Sequence, residues 1–215
     1  MKQLFWETVN PLLKKILQDL ITEPIFMPFR LVGGTALSLQ IGHRMSVDID
    51  LFTDADYGSI DYKEIRSFLE NKYPYCASRN LENVSFGTYF EVGYSKDNYI
   101  KIDVFYTDEF IEAPLVIENI RMATINEIIA MKLDIVLRGG RKKDFWDLHY
   151  FIDRISLDEM VTLYQKRYPY NDTIANIKKQ LINFNNAEND FEPNCLLGKS
   201  WEIIKLDFYE TYHKK

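Results

Sequence analysis

Two aspartates one residue apart, Asp48 and Asp50, interrupt the apolar run Val47–Phe52. In a strand, residues i and i+2 share a face, so both carboxylates point one way and Val47, Ile49 and Leu51 the other. Like charges held side by side repel, and burying them is unfavourable unless a cation joins them. A hard divalent ion, magnesium or manganese, suits that need, because it takes one or two carboxylates together with the phosphates of a nucleotide. Taken alone, an Asp-x-Asp pair also describes two solvated aspartates on an edge strand. The apolar setting, a glycine turn upstream and a third acid downstream favour the metal reading.

That third acid is Asp103, in the run Tyr99–Tyr106. Ile100, Ile102 and Val104 alternate on one face, with Lys101, Asp103 and Phe105 on the other. If this strand neighbours the first, Asp48, Asp50 and Asp103 form one acidic surface. Phosphoryl and nucleotidyl transfer use such a set: bound metal neutralises phosphate charge, and one carboxylate accepts the proton of the attacking hydroxyl. A plain partnership of Asp103 with Lys101 is the alternative.

Upstream, Gly33-Gly34-Thr35 follows an apolar segment. Glycines allow backbone to approach a phosphate closely, and Thr35 suits a helix cap or a phosphate contact. No Walker lysine follows and the third glycine of a dinucleotide fingerprint is missing, so both of those phosphate-binding classes are excluded. Arg44, just before the acidic strand, is placed to pair with it. Lys132 falls in the middle of a helical face made by Ile125, Ile128, Ile129 and Val136. A lysine there either snorkels outward or points into a site and meets an anion, a nucleotide phosphate above all. Asp144 and Asp147 lie one turn apart at the start of the next helix, where helix capping explains them as readily as contact between Asp147 and Lys132. Arg138, Arg141, Lys142 and Lys143 make a local basic cluster that suits phosphates or simply faces solvent. His43 and His149 are expected as packed side chains rather than metal ligands.

The elements that must position these groups follow from pattern. Residues 3–20 have helical apolar spacing, with Pro11 as a kink or break. Strands are expected at Phe29–Val32, Val47–Phe52, Tyr75–Asn80, Val84–Tyr94, Tyr99–Tyr106 and Leu115–Ile120, with a turn over 95–98. Helices are expected at Thr35–Gln40 and Ile60–Asn71. From Thr124 onward the chain reads as helical: 124–138, opened by a Thr124/Glu127 capping box and closed at Gly139-Gly140, then 144–153, 158–167, 173–184 and 199–212. This organisation implies an α+β domain over 1–122, a mixed sheet flanked by helices, and a helical C-terminal domain over 123–215.

Composition sets the outer limits. The 215 residues are 47% hydrophobic and 27% charged, with net charge −6. That is ordinary globular composition and argues mildly against a generic nucleic-acid binder. No apolar run approaches the roughly 20 residues needed to span a bilayer. The N-terminal segment carries Glu7, Lys14, Lys15 and Asp19 and does not read as a signal peptide. Cys76 and Cys195 form no metal-type pair, which suggests reduced thiols in a cytoplasmic protein.

Taken in order, LVGGTALSLQIGHRMSVDIDLF, IKIDVF and AMKLDIVLRGGRKKDFWDLHYF resemble the AbiEii nucleotidyltransferase family, toxins of type IV toxin–antitoxin systems, over roughly residues 28–155. The resemblance implies a DNA polymerase β-like nucleotidyltransferase fold with a helical C-terminal part. It implies metal-dependent use of a nucleoside triphosphate, transfer to the acceptor end of tRNA, and an antitoxin partner. By position, Gly34 and Thr35 fall to the triphosphate, and Asp48 and Asp50 to magnesium; Gly33 and Arg44 are further nucleotide-binding candidates from their place in the sequence. Asp103 falls to the third acid, Lys132 to the phosphates and Asp147 to the later catalytic aspartate. Where the family often has serine, this chain has Thr35, which keeps the hydroxyl. A small-molecule or protein acceptor, or a non-catalytic nucleotide- or partner-binding module, is the competing expectation. A glycosyltransferase leaves Gly33–Thr35 and Lys132 without a role.

Overall fold

The computed structural model describes residues 3–82, 84–170 and 174–213. Its centre is a seven-stranded mixed sheet: β1 (Arg30–Leu31), β2 (Ile49–Thr53), β3 (Tyr75–Ser78), β4 (Gly87–Ser95), β5 (Asn98–Tyr106), β6 (Leu115–Ile117) and β7 (Ile120–Met122), in spatial order β3-β4-β5-β2-β1-β7-β6. The long β4–β5 hairpin turns at Lys96-Asp97, where the pattern places it. The segment read as one strand over 115–120 is instead a second hairpin. Glu118 and Asn119 both take positive φ, 50° and 66°, the backbone of a tight two-residue turn. Leu115 and Ile117 pair with Met122 and Ile120, so the inward parity shifts by one across Glu118-Asn119, which a single strand over 115–120 does not allow.

Helices α1 (Pro11–Ile21), α2 (Gly33–Ile41) and α3 (Tyr62–Lys72) belong to the N-terminal part; α4 (Ile125–Leu137), α5 (Lys142–His149), α6 (Leu157–Arg167), α7 (Ile174–Leu181) and α8 (Trp201–Tyr212) follow. Pro11 is the first residue of α1 rather than a kink within it, and Asn10 caps it by accepting from the Leu13 N–H at 2.8 Å. Residues Trp6–Thr8 before it form a separate 3-10 turn. Helix α6 opens on a full Ser156/Glu159 capping box. At α4 only half of the expected box forms. Thr124 accepts from the Glu127 N–H at 3.3 Å, but the Glu127 carboxylate turns to Arg167 and to the Ile111 N–H. A buried ion pair outweighs the local cap. The expected start of the 173–184 helix at Thr173 lies outside the described residues.

Two boundary differences matter for function. Helix α2 begins at Gly33, so the glycines form its first turn rather than a loop before it. Strand β2 begins at Ile49, which leaves Asp48 just ahead of it and Val47 61% exposed instead of in the core. The 43–48 segment ahead of β2 is held from both sides. The Met45 N–H donates to the Asn194 carbonyl at 2.9 Å, and the Ser46 N–H to the Thr8 carbonyl at 2.8 Å. Buried apolar residues form one continuous cluster from Leu4 to Tyr212, with Trp201, Phe145 and Phe208 among the largest.

Candidate active site

The fold brings the two acidic strands together. Strand β2 pairs with β5 in parallel, and the register sets Asp50 directly opposite Asp103. Across a parallel pair, opposite residues share a face. Burial, then the neighbouring Asp103 charge, with a smaller push from Asp48, raises the Asp50 carboxyl to about 6. Lys143 and Lys132 act against that rise. The three acids expected to cooperate therefore share one electrostatic field. Asp103 is also reached by Lys101, whose Nζ lies 2.6 Å from Oδ2, so the plainer partnership coexists with the acidic pairing.

Both glycines are dictated by what lies against them. Gly33 has φ +66°, and a Cβ there would stand 2.5 Å from Asp50 Oδ2. A Cβ on Gly34 would overlap the Arg44 guanidinium. The first turn of α2 is thus packed directly on the acidic residue and on the cation behind it. Gly33→Ala is expected to lower stability by about 1–2 kcal/mol from backbone strain. It should also reduce activity more than stability accounts for, because Asp50 must move; urea unfolding and a transfer assay on one preparation would check this.

Thr35, Arg44, Lys132 and Asp147 are all at the site, but their polar atoms are engaged inside the protein. Thr35 is buried; its hydroxyl meets Ser46 Oγ at 2.7 Å and donates to the Asp48 carbonyl. It thereby fixes the backbone that carries the first acid. Helix α2 has Val32 as its N-cap, without a side-chain cap. Arg44 is 3% exposed and forks onto Asp147, Nε to Oδ1 at 2.6 Å and Nη2 to Oδ2 at 2.9 Å. Lys132 Nζ lies 2.6 Å from both Asp144 Oδ1 and Asp147 Oδ2. Burial opposes its charge, yet Asp147 and Asp144 hold the ammonium protonated above its ordinary range. His43 completes the hub, with Nε2 at 2.7 Å from Asp147 Oδ1 and Nδ1 lacking a hydrogen-bond partner. Burial lowers its pKa, so it is neutral and donates through Nε2. Although burial alone would raise it, Arg44 and Lys132 drive the Asp147 carboxyl well below the carboxylate range. The lone anomalous lysine of the α4 pattern is thus an ion-pair member, with Asp144 as a partner beyond the expected Asp147.

The basic cluster divides by role. Arg138 binds Asp134 on its own helix. Lys142 is buried over the Trp201 ring, 3.5 Å from Glu192. Arg141 is the N-cap residue of α5. Lys143 alone turns to the acids, with Nζ 3.8 Å from Asp48 Oδ2 and its side chain 30% exposed. Burial first, then Arg141 and Lys132, lower its pKa; Asp48 and Asp50 pull the other way. Lys143 is the site cation that pattern reasoning left undistinguished. The usable signal was its spacing of four from Asp147, which puts both on one face of α5. His149 packs as expected, bonding Asp207 on α8 at 2.7 Å.

Among the described residues, no group of three or more His, Cys, Asp or Glu closes into a ready-made ion cage. The site instead offers a facing all-oxygen pair whose mutual repulsion a divalent cation would relieve. This fits an ion that completes its shell with triphosphate oxygens and water. The profile of the family described as "Nucleotidyl transferase AbiEii toxin, Type IV TA system" matches residues 15–210.

This chain belongs to the AbiEii nucleotidyltransferase toxin family.

An uncharacterized protein of Aquifex aeolicus is 30% identical over 210 residues, covering 91% of each chain. The fold is similar to a putative nucleotidyltransferase from H. pylori, with TM-score 0.60 and 20% identity over 93% of this chain and 91% of that one. It is also similar to MenT4, a nucleotidyltransferase toxin of Mycobacterium tuberculosis, with TM-score 0.54 and 17% identity over 94% and 84%. The expected α+β nucleotidyltransferase fold and nucleotide-transferring enzyme class therefore stand. AbiEii membership implies a nucleoside triphosphate substrate and an antitoxin partner. No helix among the described residues is long and apolar enough to cross a membrane.

Proposed function

We propose that this AbiEii protein transfers a nucleotide from a nucleoside triphosphate to the acceptor end of tRNA, dependent on magnesium or manganese, as a toxin held in check by its antitoxin in the cytoplasm. The observation carrying this reading is the register pair Asp50–Asp103, set against the first turn of α2 and flanked by Asp48 and Lys143. Asp48, Asp50 and Asp103 would hold the metal, which when bound would neutralise phosphate charge at the reacting centre. Gly33 and Gly34 open α2 with their backbone free of Cβ atoms, so its N–H groups suit the triphosphate. Lys143 supplies the partly exposed ammonium for the phosphates. Lys132 and Arg44, anchored on Asp147, act from behind: Lys132 offsets part of the Asp50 charge and Arg44 holds the loop that carries Asp48. The third carboxylate, Asp103, would take the acceptor hydroxyl proton as that oxygen attacks the α-phosphate and pyrophosphate leaves.

The test is incubation of pure protein with labelled NTPs, magnesium and total tRNA, with Asp48→Ala as the matched blank. Label on tRNA is expected from the wild type alone. Lys143→Met is expected to raise KM for the NTP by about tenfold to a hundredfold, as loss of a charge-assisted phosphate contact. Label on a protein or small molecule instead would reassign the acceptor. No label on any acceptor would overturn the reading.

A further inference from the structure

The acidic face does not end at the carboxylates. Phe52 follows Asp50 by two residues on β2, and Phe105 follows Asp103 by two on β5, so both rings continue the same face, with centroids 6.1 Å apart. Phe52 forms one wall of a cleft of about 630 Å³ that Tyr57, Phe86, Tyr106, Asp134 and Arg138 also line. Tyr57 and Phe86 are 65% and 68% exposed, unusual for rings that have a core available. The Tyr57 ring lies between Phe86, at 5.7 Å and 51°, and Tyr106, at 5.4 Å and 49°. Both Tyr57 and Phe86 line the cleft.

The backbone that carries these exposed rings is also held in place. The Tyr106 N–H donates to the Phe86 carbonyl at 2.8 Å, and the Tyr106 hydroxyl accepts from the Ile60 N–H at 2.8 Å, which ties down the turn that carries Tyr57. A fixed aromatic surface loses little conformational freedom when a flat ligand stacks on it. At the polar rim, Asp134 and Arg138 are ion-paired through Oδ2 and Nη2. A carboxylate accepts from an exocyclic amine and a guanidinium donates to ring nitrogens and carbonyls, so this pair matches the edge of a nucleobase.

We propose that this cleft is a nucleobase subsite, where a base stacks on Tyr57 and Phe86 with its polar edge toward Asp134 and Arg138. It rests on the nucleotidyl-transfer reading for its role, and two substrates could supply the base: the incoming triphosphate or the terminal nucleoside of the acceptor. The experiment measures equilibrium binding of each NTP and of a short single-stranded RNA to wild type and to the Tyr57→Ala/Phe86→Ala double variant, beside steady-state KM for both substrates. Both side chains are exposed, so the variant is expected to keep the wild-type melting midpoint. Binding of one ligand should weaken by about tenfold to a hundredfold, with the matching KM rising alike, whereas Tyr57→Phe alone should keep most of the wild-type binding. Loss on the NTP assigns the base to the donor, and loss on the RNA assigns it to the acceptor. Unchanged binding of both ligands overturns the subsite whether or not transfer is seen, whereas intact binding effects with no transfer by the wild type overturn the enzymatic reading alone.

Discussion

Asp50→Asn is expected to reduce nucleotidyl transfer on the order of a thousandfold while making the free protein more stable. The first effect follows from losing a carboxylate at the reacting phosphate, where several kcal/mol of charge stabilisation is at stake. The second has the opposite sign because Asp50 is strained by its neighbours. Its pKa rises from 3.8 to about 6, chiefly through burial and Asp103, so the folded state holds the proton more tightly than the unfolded chain. The penalty therefore develops as pH climbs from about 3.8 through about 6 and is complete above that. This tighter hold on the proton costs the folded state no more than about 3 kcal/mol at neutral pH. The stability difference between variant and wild type should be near zero at pH 4 and grow toward pH 7 in urea titrations. Magnesium with NTP should raise the wild-type melting temperature and leave the variant nearly unmoved. A variant that keeps its activity, or whose stability gain does not change with pH, would falsify the shared-field account of the acidic pair.

Asp147→Asn should have the largest effect on folding. Asp147 accepts from His43, twice from Arg44, and from Lys132, and is itself fully buried. An amide cannot balance two buried cations, and its NH2 would face their donors. Removing one partner of such a buried network typically costs about 3–5 kcal/mol, a large share of a stability of about 5–15 kcal/mol. The melting temperature should fall by about 10 °C or more. Because the Asp147 pKa lies well below the usual carboxylate value, its stabilisation is complete above about pH 3.8 and is lost only as pH falls through the folded value. The loss in the variant should therefore be constant from pH 5 to 8, unlike that of Asp50→Asn. A cost under about 1 kcal/mol would show that the hub is solvated in solution and that Lys132 and Arg44 are free to reach the nucleotide directly.

The two aspartates differ in a way their spacing conceals. Asp50 is held against like charge, whereas Asp147 already has three cationic or polar partners. Lys132 and Arg44 are therefore engaged by Asp147, while Lys143 stands beside Asp48 and Lys101 beside Asp103.

What residue order determined by itself was local. Alternation of Ile100, Ile102 and Val104 sets the buried face of β5 and turns Asp103 the other way. Ser156 and Glu159 start α6, and an apolar stripe on α4 marks Lys132 as needing an anion. Each depends on neighbours within a few residues, where pleat, helical period and capping chemistry decide the outcome. Partnerships between distant residues were decided only by the tertiary structure. The parallel pairing of β2 with β5 makes Asp50 and Asp103 a couple. The packing of α5 against the 43–48 loop gives Arg44 to Asp147, 103 residues away. The same packing selects Lys143 from the basic cluster of Arg138, Arg141, Lys142 and Lys143. A local window encodes which face a side chain takes, but which charge meets it there depends on how distant elements share the core.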